Sequence, residues 1–211
     1  LIQEDVLIAE YTTDYKKTHS QTLLPMLDEL RRMVDLDLKS IDLIAVAAGP
    51  GSFTGLRIGS ATAKGLGLAL DIPLAAVPTV DALAYNLYGC EQLICPMMDA
   101  RRGQVYTGIY TFVNGEMQVI QEQCAISVEE LASRLKEECK KYGKKVVLLG
   151  DGVPVYREKV QEILQGQCEF ASASCNRQRA ACVAVLGQSL AAAGKTVSSD
   201  DFAPEYLRMS Q

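Results

Sequence analysis

The sequence has a single histidine, no two of its seven cysteines at C-x-x-C spacing, and no excess of basic residues. Nor does any apolar run in it approach the ~20 residues of a membrane span. Each absence closes off a class of function. With one histidine, any Ser/His/Asp or Cys/His arrangement depends on His19 alone. A lone histidine in front of a helix reads as a capping or core residue as well as a catalytic one. Without clustered Cys and His, a zinc site has no ligands. The odd thiol count reads instead as reduced, mostly buried cysteines in a cytoplasmic protein. No secretory signal is legible and no membrane contact is expected. The net charge of −5 and pI near 5.0 leave no strongly basic face. Phosphate neutralisation needs clustered Lys and Arg, so tight nucleic-acid binding by this chain alone is disfavoured. The one dense basic run, Lys140, Lys141, Lys144 and Lys145, falls where a helix should end, and there it serves the helix dipole and solubility.

What is present is enough apolar residue, 48% of 211, for one large domain or two small ones. Periodicity gives the order of elements. Residues 1–12 read as a hairpin around Gln3, Glu4 and Asp5, and 20–35 as an amphipathic helix. A buried strand at 41–48 leads through a glycine-rich loop at 49–54 into a small-residue helix at 55–70. A strand at 74–77 and a helix at 79–88 follow. The pattern then restarts: strand 92–98, turn 99–103, strand 104–112, and a hairpin turn at Asn114–Gly115 before 117–122. Helix 127–142, strand 146–150, helix 154–165, a short strand and an alanine-rich helix at 176–193 complete it. The two halves, 1–88 and 89–211, match if the first is missing one leading strand. A tandem β-β-β-α-β-α unit is an α/β fold of the ribonuclease H-like, actin/hexokinase/Hsp70 (ASKHA) type, here with its first lobe lacking the N-terminal strand. Such a fold hosts sugar kinases, chaperone ATPases and carbamoyl transferases, so it does not fix function.

The sharpest motif runs from Gly49 to Gly59, between a strand and a helix. Gly49, Gly51, Ser52, Thr54 and Gly55 form a loop whose glycines permit positive φ and close backbone approach, and a helix N-terminus can hold an anion. The loop lacks the Gly-Lys-Ser/Thr ending of a P-loop, and the next strand carries no acid for a dinucleotide fingerprint. It reads either as an anion- or nucleotide-binding loop or as a tight strand-to-helix turn. In the helix behind it, Gly55, Gly59, Ala63 and Gly67 recur every four residues on one face. Glycine inside a helix costs about 0.5–1 kcal/mol against alanine, so something packs close there: the domain's own sheet or a helix of another subunit. The helix at 20–35 carries Leu23, Leu27, Leu30 and Val34 on one stripe, widened by Leu24 and Met26, with Thr18 and Gln21 at capping-box spacing. Asp99 ends the first strand of the second half, where a carboxylate can hold Mg²⁺ or pair with Arg101 and Arg102.

Four stretches together resemble one family. They are His19-Ser20-Gln21-Thr22-Leu23-Leu24-Pro25, then Gly49–Gly59, then Asp99-Ala100-Arg101-Arg102-Gly103-Gln104-Val105-Tyr106, and finally Pro204-Glu205-Tyr206-Leu207-Arg208. These are similar to the TsaB (YeaZ) family, which serves threonylcarbamoyladenosine formation on tRNA, and they span nearly the whole chain. The family is a glycoprotease-like (M22) non-peptidase paralogue of TsaD. In TsaD an i, i+4 histidine pair binds the active-site metal; at about those positions this chain has Thr79 and Leu83. The resemblance therefore implies a chain with no catalytic residues, no metal and no firmly bound cofactor. It implies a scaffold that dimerises with TsaD and works with the ATPase TsaE, with ATP or ADP at the complex interface, tRNA touched only indirectly, and a homodimer when TsaD is absent. The interface it implies is built from the first two helices, with Leu23, Leu27, Leu30, Gly55, Gly59, Ala63 and Gly67. Two departures stand out: Gln21 replaces the family's usual Glu, and the family's first strand, ending in Asp-Thr-Ser, is not seen. The alternative is a metal- or nucleotide-dependent enzyme of the same fold, a glycoprotease-like peptidase or an ATPase.

Overall fold

A computed structural model describes residues 1–15 and 19–207, the side chain of His19 excepted. Thr18, Arg208 and the histidine side chain, which the sequence analysis singled out, lie outside the described residues. In chain order the elements are β1 (Ile2–Gln3), β2 (Val6–Leu7), α1 (His19–Met33), β3 (Ile44–Gly49), α2 (Phe53–Leu70), β4 (Leu74–Pro78) and α3 (Thr79–Ala84). They continue with β5 (Leu93–Asp99), β6 (Gln104–Val113), β7 (Glu116–Ser127), α4 (Val128–Tyr142), β8 (Val146–Leu149), α5 (Val153–Leu164), β9 (Cys168–Phe170) and α6 (Ala180–Ala192).

The chain divides into two compact units, but not at 88/89. Unit 1 holds Leu1–Thr79 and takes back Arg179–Tyr206, whereas unit 2 holds Val80–Gln178. The expected boundary followed the sequence repeat. The observed one follows packing: the body of α3 buries Val80, Leu83 and Ala84 in a unit 2 core, while α6 packs on β3 and β4 of unit 1.

Unit 2 is one five-stranded sheet of order β7-β6-β5-β8-β9. β5 lies antiparallel to β6 and parallel to β8. Its side chains alternate between the faces, as the strand period requires. Leu93, Cys95 and Met97 enter the core that includes Leu131 and Leu135 of α4 and Val160 and Leu164 of α5. Ile94 and Met98 enter the opposite core, with Leu83, Tyr110 and Phe112. Strand β7 is longer than its apolar pattern suggests because it ladders to β6 from Glu116 to Ser127. At its end Ser127 caps α4, accepting from the Glu130 amide at 3.1 Å, and Gly143 closes that helix at φ 63°.

Unit 1 contains two separate two-stranded ladders, antiparallel β1-β2 and parallel β3-β4. Its core is small: Ala48, Ala63, Leu74 and Phe202 buried, with Ile44, Val46, Ala76 and Val197 against them. Two bounds differ from the periodicity. Strand β3 starts at Ile44 because Leu38–Ser40 form a 3₁₀ turn, capped by Asp37 accepting from the Lys39 amide at 3.0 Å. Helix α6 starts at Ala180, where Glu10 reaches across: its Oε1 accepts from the Ala181 amide at 2.9 Å and its Oε2 pairs with Arg179.

Candidate functional site

Helix α1 does not bury its apolar residues. From Ser20 to Met33 no residue is fully buried. Leu24, Leu27 and Met33 are 60%, 39% and 74% exposed, and Leu23, Met26 and Leu30 are half-buried. A helix of this length is marginal in water by itself and takes its stability from packing an apolar face. Among the described residues the element it meets appreciably is α2. Asp28 holds the helix surface locally, pairing with Arg31 at 3.3 Å and Arg32 at 2.6 Å.

Helix α2 is fixed at its start by Ser52, whose hydroxyl accepts from the Gly55 amide at 3.4 Å, and at its end by Asp71 in the left-handed region. The small-residue stripe divides along its length. Ala63 and Gly67 are buried, Ala63 in the unit 1 core and Gly67 against Ser199, the Ile72 carbonyl and Leu74. These two therefore pack within their own unit. Gly55 and Gly59 are half-exposed, and a Cβ at Gly59 would meet no atom within 4 Å. A straight stripe diverges in this way because a four-residue repeat drifts around a helix of 3.6 residues per turn.

The loop in front of α2 is held from within. Gly49 has φ +127°, and a Cβ there would run into the carbonyl of Glu205. The Glu205 amide donates to the Ala48 carbonyl at 2.6 Å, and the Gly49 amide to Thr79 Oγ1 at 3.2 Å. A Cβ at Gly51 would lie 3.6 Å from the Leu56 side chain, an ordinary contact. Phe53 and Tyr206, 5.4 Å apart, lie beside the loop, and the Arg57 guanidinium sits 4.1 Å over the Phe53 ring. The glycine at position 49 is thus accounted for by the C-terminal segment lying on the loop. Ser52 Oγ is committed to the cap, and Thr54 is exposed. Sequence reasoning did not anticipate the Phe53–Arg57–Tyr206 cluster, because Tyr206 lies about 150 residues along the chain from Phe53 and Arg57, and no local pattern joins it to them.

At the end of β5, Asp99 takes its turn partner: its carboxylate accepts from the Arg101 amide at 2.9 Å and the Tyr156 hydroxyl at 3.2 Å, and pairs with Arg101 Nη1 at 3.2 Å. Asp151 accepts from the Asp99 amide at 3.3 Å. Desolvation first, and the nearby Asp99 charge to a lesser degree, push the Asp151 carboxyl up. Among the described residues no group of three His, Cys, Asp or Glu side chains is placed to hold a metal ion. At the two positions of interest on α3, Thr79 is buried and bonded to Gly49, and Leu83 is buried in a unit 2 core. The basic run is spent locally: Lys141 on Glu138, Lys145 on Glu169 and Lys144 on Thr111. No helix among the described residues is long and apolar enough to cross a membrane.

Residues 7–211 match the family model described as TsaD, tRNA N6-adenosine threonylcarbamoyltransferase. The TsaB tRNA threonylcarbamoyladenosine biosynthesis protein of Bacillus subtilis is 35% identical over the whole chain and 89% of its own length. That of Buchnera aphidicola (subsp. Schizaphis graminum) is 31% identical over 69% of either chain. Among solved structures, YeaZ from Pseudomonas aeruginosa superposes with a TM-score of 0.69 at 27% identity, covering 90% of this chain and 85% of its own. With a mixed α/β fold like that of YeaZ and similarity along its full length, the chain belongs to the TsaB (YeaZ) family of tRNA threonylcarbamoyladenosine biosynthesis proteins, related to TsaD.

Proposed function

We propose that this chain is a non-catalytic scaffolding subunit. Its α1 and α2 dock onto a TsaD-type catalytic paralogue, and with a TsaE-type ATPase it supports threonylcarbamoyl transfer to tRNA. In this reading the two units are tandem ribonuclease H-like lobes, ATP or ADP sits at the complex interface, tRNA is met only indirectly, and the complex works in the cytoplasm. Without the paralogue the same helices pair two copies of the chain. The observation that carries the reading is α1, a leucine-rich helix with no fully buried residue from Ser20 onward. The open space over Gly59 supports it, since small residues let a partner helix approach closely. The docking surface is Leu23, Leu24, Leu27, Leu30, Gly55 and Gly59. Ala63 and Gly67 drop out of it.

The test is light scattering coupled to size exclusion, with the chain alone and mixed with the TsaD of the same organism. Wild type should shift to a heterodimer. Leu27→Asp and Gly59→Leu should abolish the shift while their circular dichroism stays native. A mixture in which both folded variants still bind would place the interface elsewhere.

A further inference from the structure

Helix α2 carries part of the docking face, yet it has little of its own with which to hold its place. Of its 18 residues, Leu56, Ser60, Ala63 and Gly67 are buried. Three of these are small, and apolar burial stabilises in proportion to the area removed from water. Ser60 Oγ has no hydrogen-bond partner among the described residues, so its burial costs free energy rather than supplying it.

The segment after α6 makes up the difference. It runs along α2 in the opposite direction, from the last turn of the helix to the first. It starts at a bridge to β4, where the Val197 and Leu74 amides each donate to the other's carbonyl at 2.9 Å. Ser199 then lies against Gly67. Lys64 Nζ donates to the carbonyls of Asp200 and Phe202, both at 3.1 Å. Phe202 is buried in the same small core as Ala63. The Glu205 amide donates to the Ala48 carbonyl at 2.6 Å, just ahead of the helix. The Tyr206 ring ends the segment, 5.4 Å from that of Phe53.

The flanks of α2 divide accordingly. At about 100° per residue, Phe53, Arg57 and Lys64 fall to one side of the buried stripe, and Gly55 and Gly59 to the other. The segment therefore grips the flank away from Gly55 and Gly59. It fixes how the helix is rolled against its sheet, and so where the Gly55–Gly59 flank points, without covering that flank. Its own hold is slight: residues 198–206 contain no helix or strand, and Ser199 and Phe202 are the buried residues among them. A segment with so few buried groups opens locally, at a free energy below that of the whole unit.

We infer that residues 197–206 are a strap that sets α2 for docking, with Lys64 as its latch, and that closure of the strap and binding of the catalytic paralogue favour each other. The inference rests on the docking role proposed for α1 and α2. Lys64 is a positioning residue, acting on the docking face only through the strap. Coupling of this kind is reciprocal, so a partner that needs α2 in place holds the strap shut.

The experiment reads amide exchange by NMR on the labelled chain, free and with saturating TsaD of the same organism. In the free chain the Glu205 amide should exchange about tenfold or more faster in Lys64→Met than in wild type, as the loss of hydrogen bonds from a charged donor requires. Lys64→Arg, whose guanidinium still donates to carbonyls, should restore the wild-type rate. TsaD should slow Glu205 exchange in wild type by about tenfold or more. The Val146 amide of unit 2, which donates to the Gln167 carbonyl at 2.9 Å, should be unchanged. Asp200→Lys reverses an exposed charge on the strap and should leave the affinity for TsaD unchanged. A complex that leaves Glu205 exchange as it was, or slows Val146 equally, overturns the inference alone. So does wild-type exchange in Lys64→Met, and so does loss of binding in Asp200→Lys, which would put the partner on the strap itself. If Lys64→Met does not fold, Tyr206→Ala, which frees the far end of the strap, is read in its place by the same criteria. No complex from the wild type overturns the proposed function and this inference with it.

Discussion

Two glycines on α2, two turns apart, should respond to alanine with opposite signs. Gly59 and Gly67 both lie inside the helix, so each gains about 0.5–1 kcal/mol of helix propensity on becoming alanine. At Gly59 the new methyl meets no atom within 4 Å, and nothing offsets the gain. At Gly67 it is driven onto the Ser199 hydroxyl and lies 3.2 Å from both the Ile72 carbonyl and Leu74 Cδ2. The hydroxyl can rotate away, but the carbonyl belongs to the backbone that closes the helix, and Leu74 is fully buried. Overpacking of this kind costs about 1–3 kcal/mol, which leaves Gly67→Ala less stable by about 1 kcal/mol. For a chain of this size each kcal/mol moves Tm by about 2–4 °C. Thermal melting followed by circular dichroism, at a concentration where light scattering shows a monomer, should therefore show Gly59→Ala melting a few degrees above wild type and Gly67→Ala a few degrees below. Adding Ser199→Ala should recover part of the Gly67→Ala loss. A destabilised Gly59→Ala in that monomer would refute the reasoning, because it would mean that the face is packed within the single chain.

Three further outcomes follow from the same geometry. Burial works against the Glu10 carboxylate, but Arg179 and the Ala181 amide outweigh it and hold its pKa below the ordinary range. Its contribution is therefore complete above the unfolded carboxylate pKa and is lost as pH falls through the folded one, so the Tm advantage of wild type over Glu10→Gln should be present at pH 7 and shrink on acidification below about 4. Ser127→Ala removes the N-cap of α4 and should cost about 1 kcal/mol, read as a lower urea midpoint with an unchanged slope. Burial pushes the Cys95 thiol up to about 12, so a maleimide at pH 7 should leave Cys95 unlabelled in the native chain and modify it only after denaturation, as mass mapping would show.

Much of the fold was legible because it is signalled locally. The Asn114–Gly115 hairpin, the capping serines and the glycine after α4 are each decided within a few residues, where backbone φ and a single side-chain bond set the outcome. The surface on α1 was half legible: the widened stripe with Leu24 was visible, but whether such a stripe faces a core or solvent depends on what else folds nearby. The stripe on α2 misled in part, since spacing marks a face but says nothing of how the helix rotates against its sheet.

What the sequence determined by itself is most of the elements, their order and the family. What only the tertiary structure decided is which distant segments meet. Glu205 lies on Gly49, Lys64 holds the carbonyls of Asp200 and Phe202, and Glu10 caps α6 beside Arg179. These contacts draw the last helix back into unit 1 and move the boundary from 88/89 to 79/80 and 178/179. The physical reason is that burial is a property of the assembled surface. An apolar face is written into the chain by its period, but its partner is chosen only when packing and hydrogen bonding across more than a hundred residues outweigh the entropy of closing so long a loop.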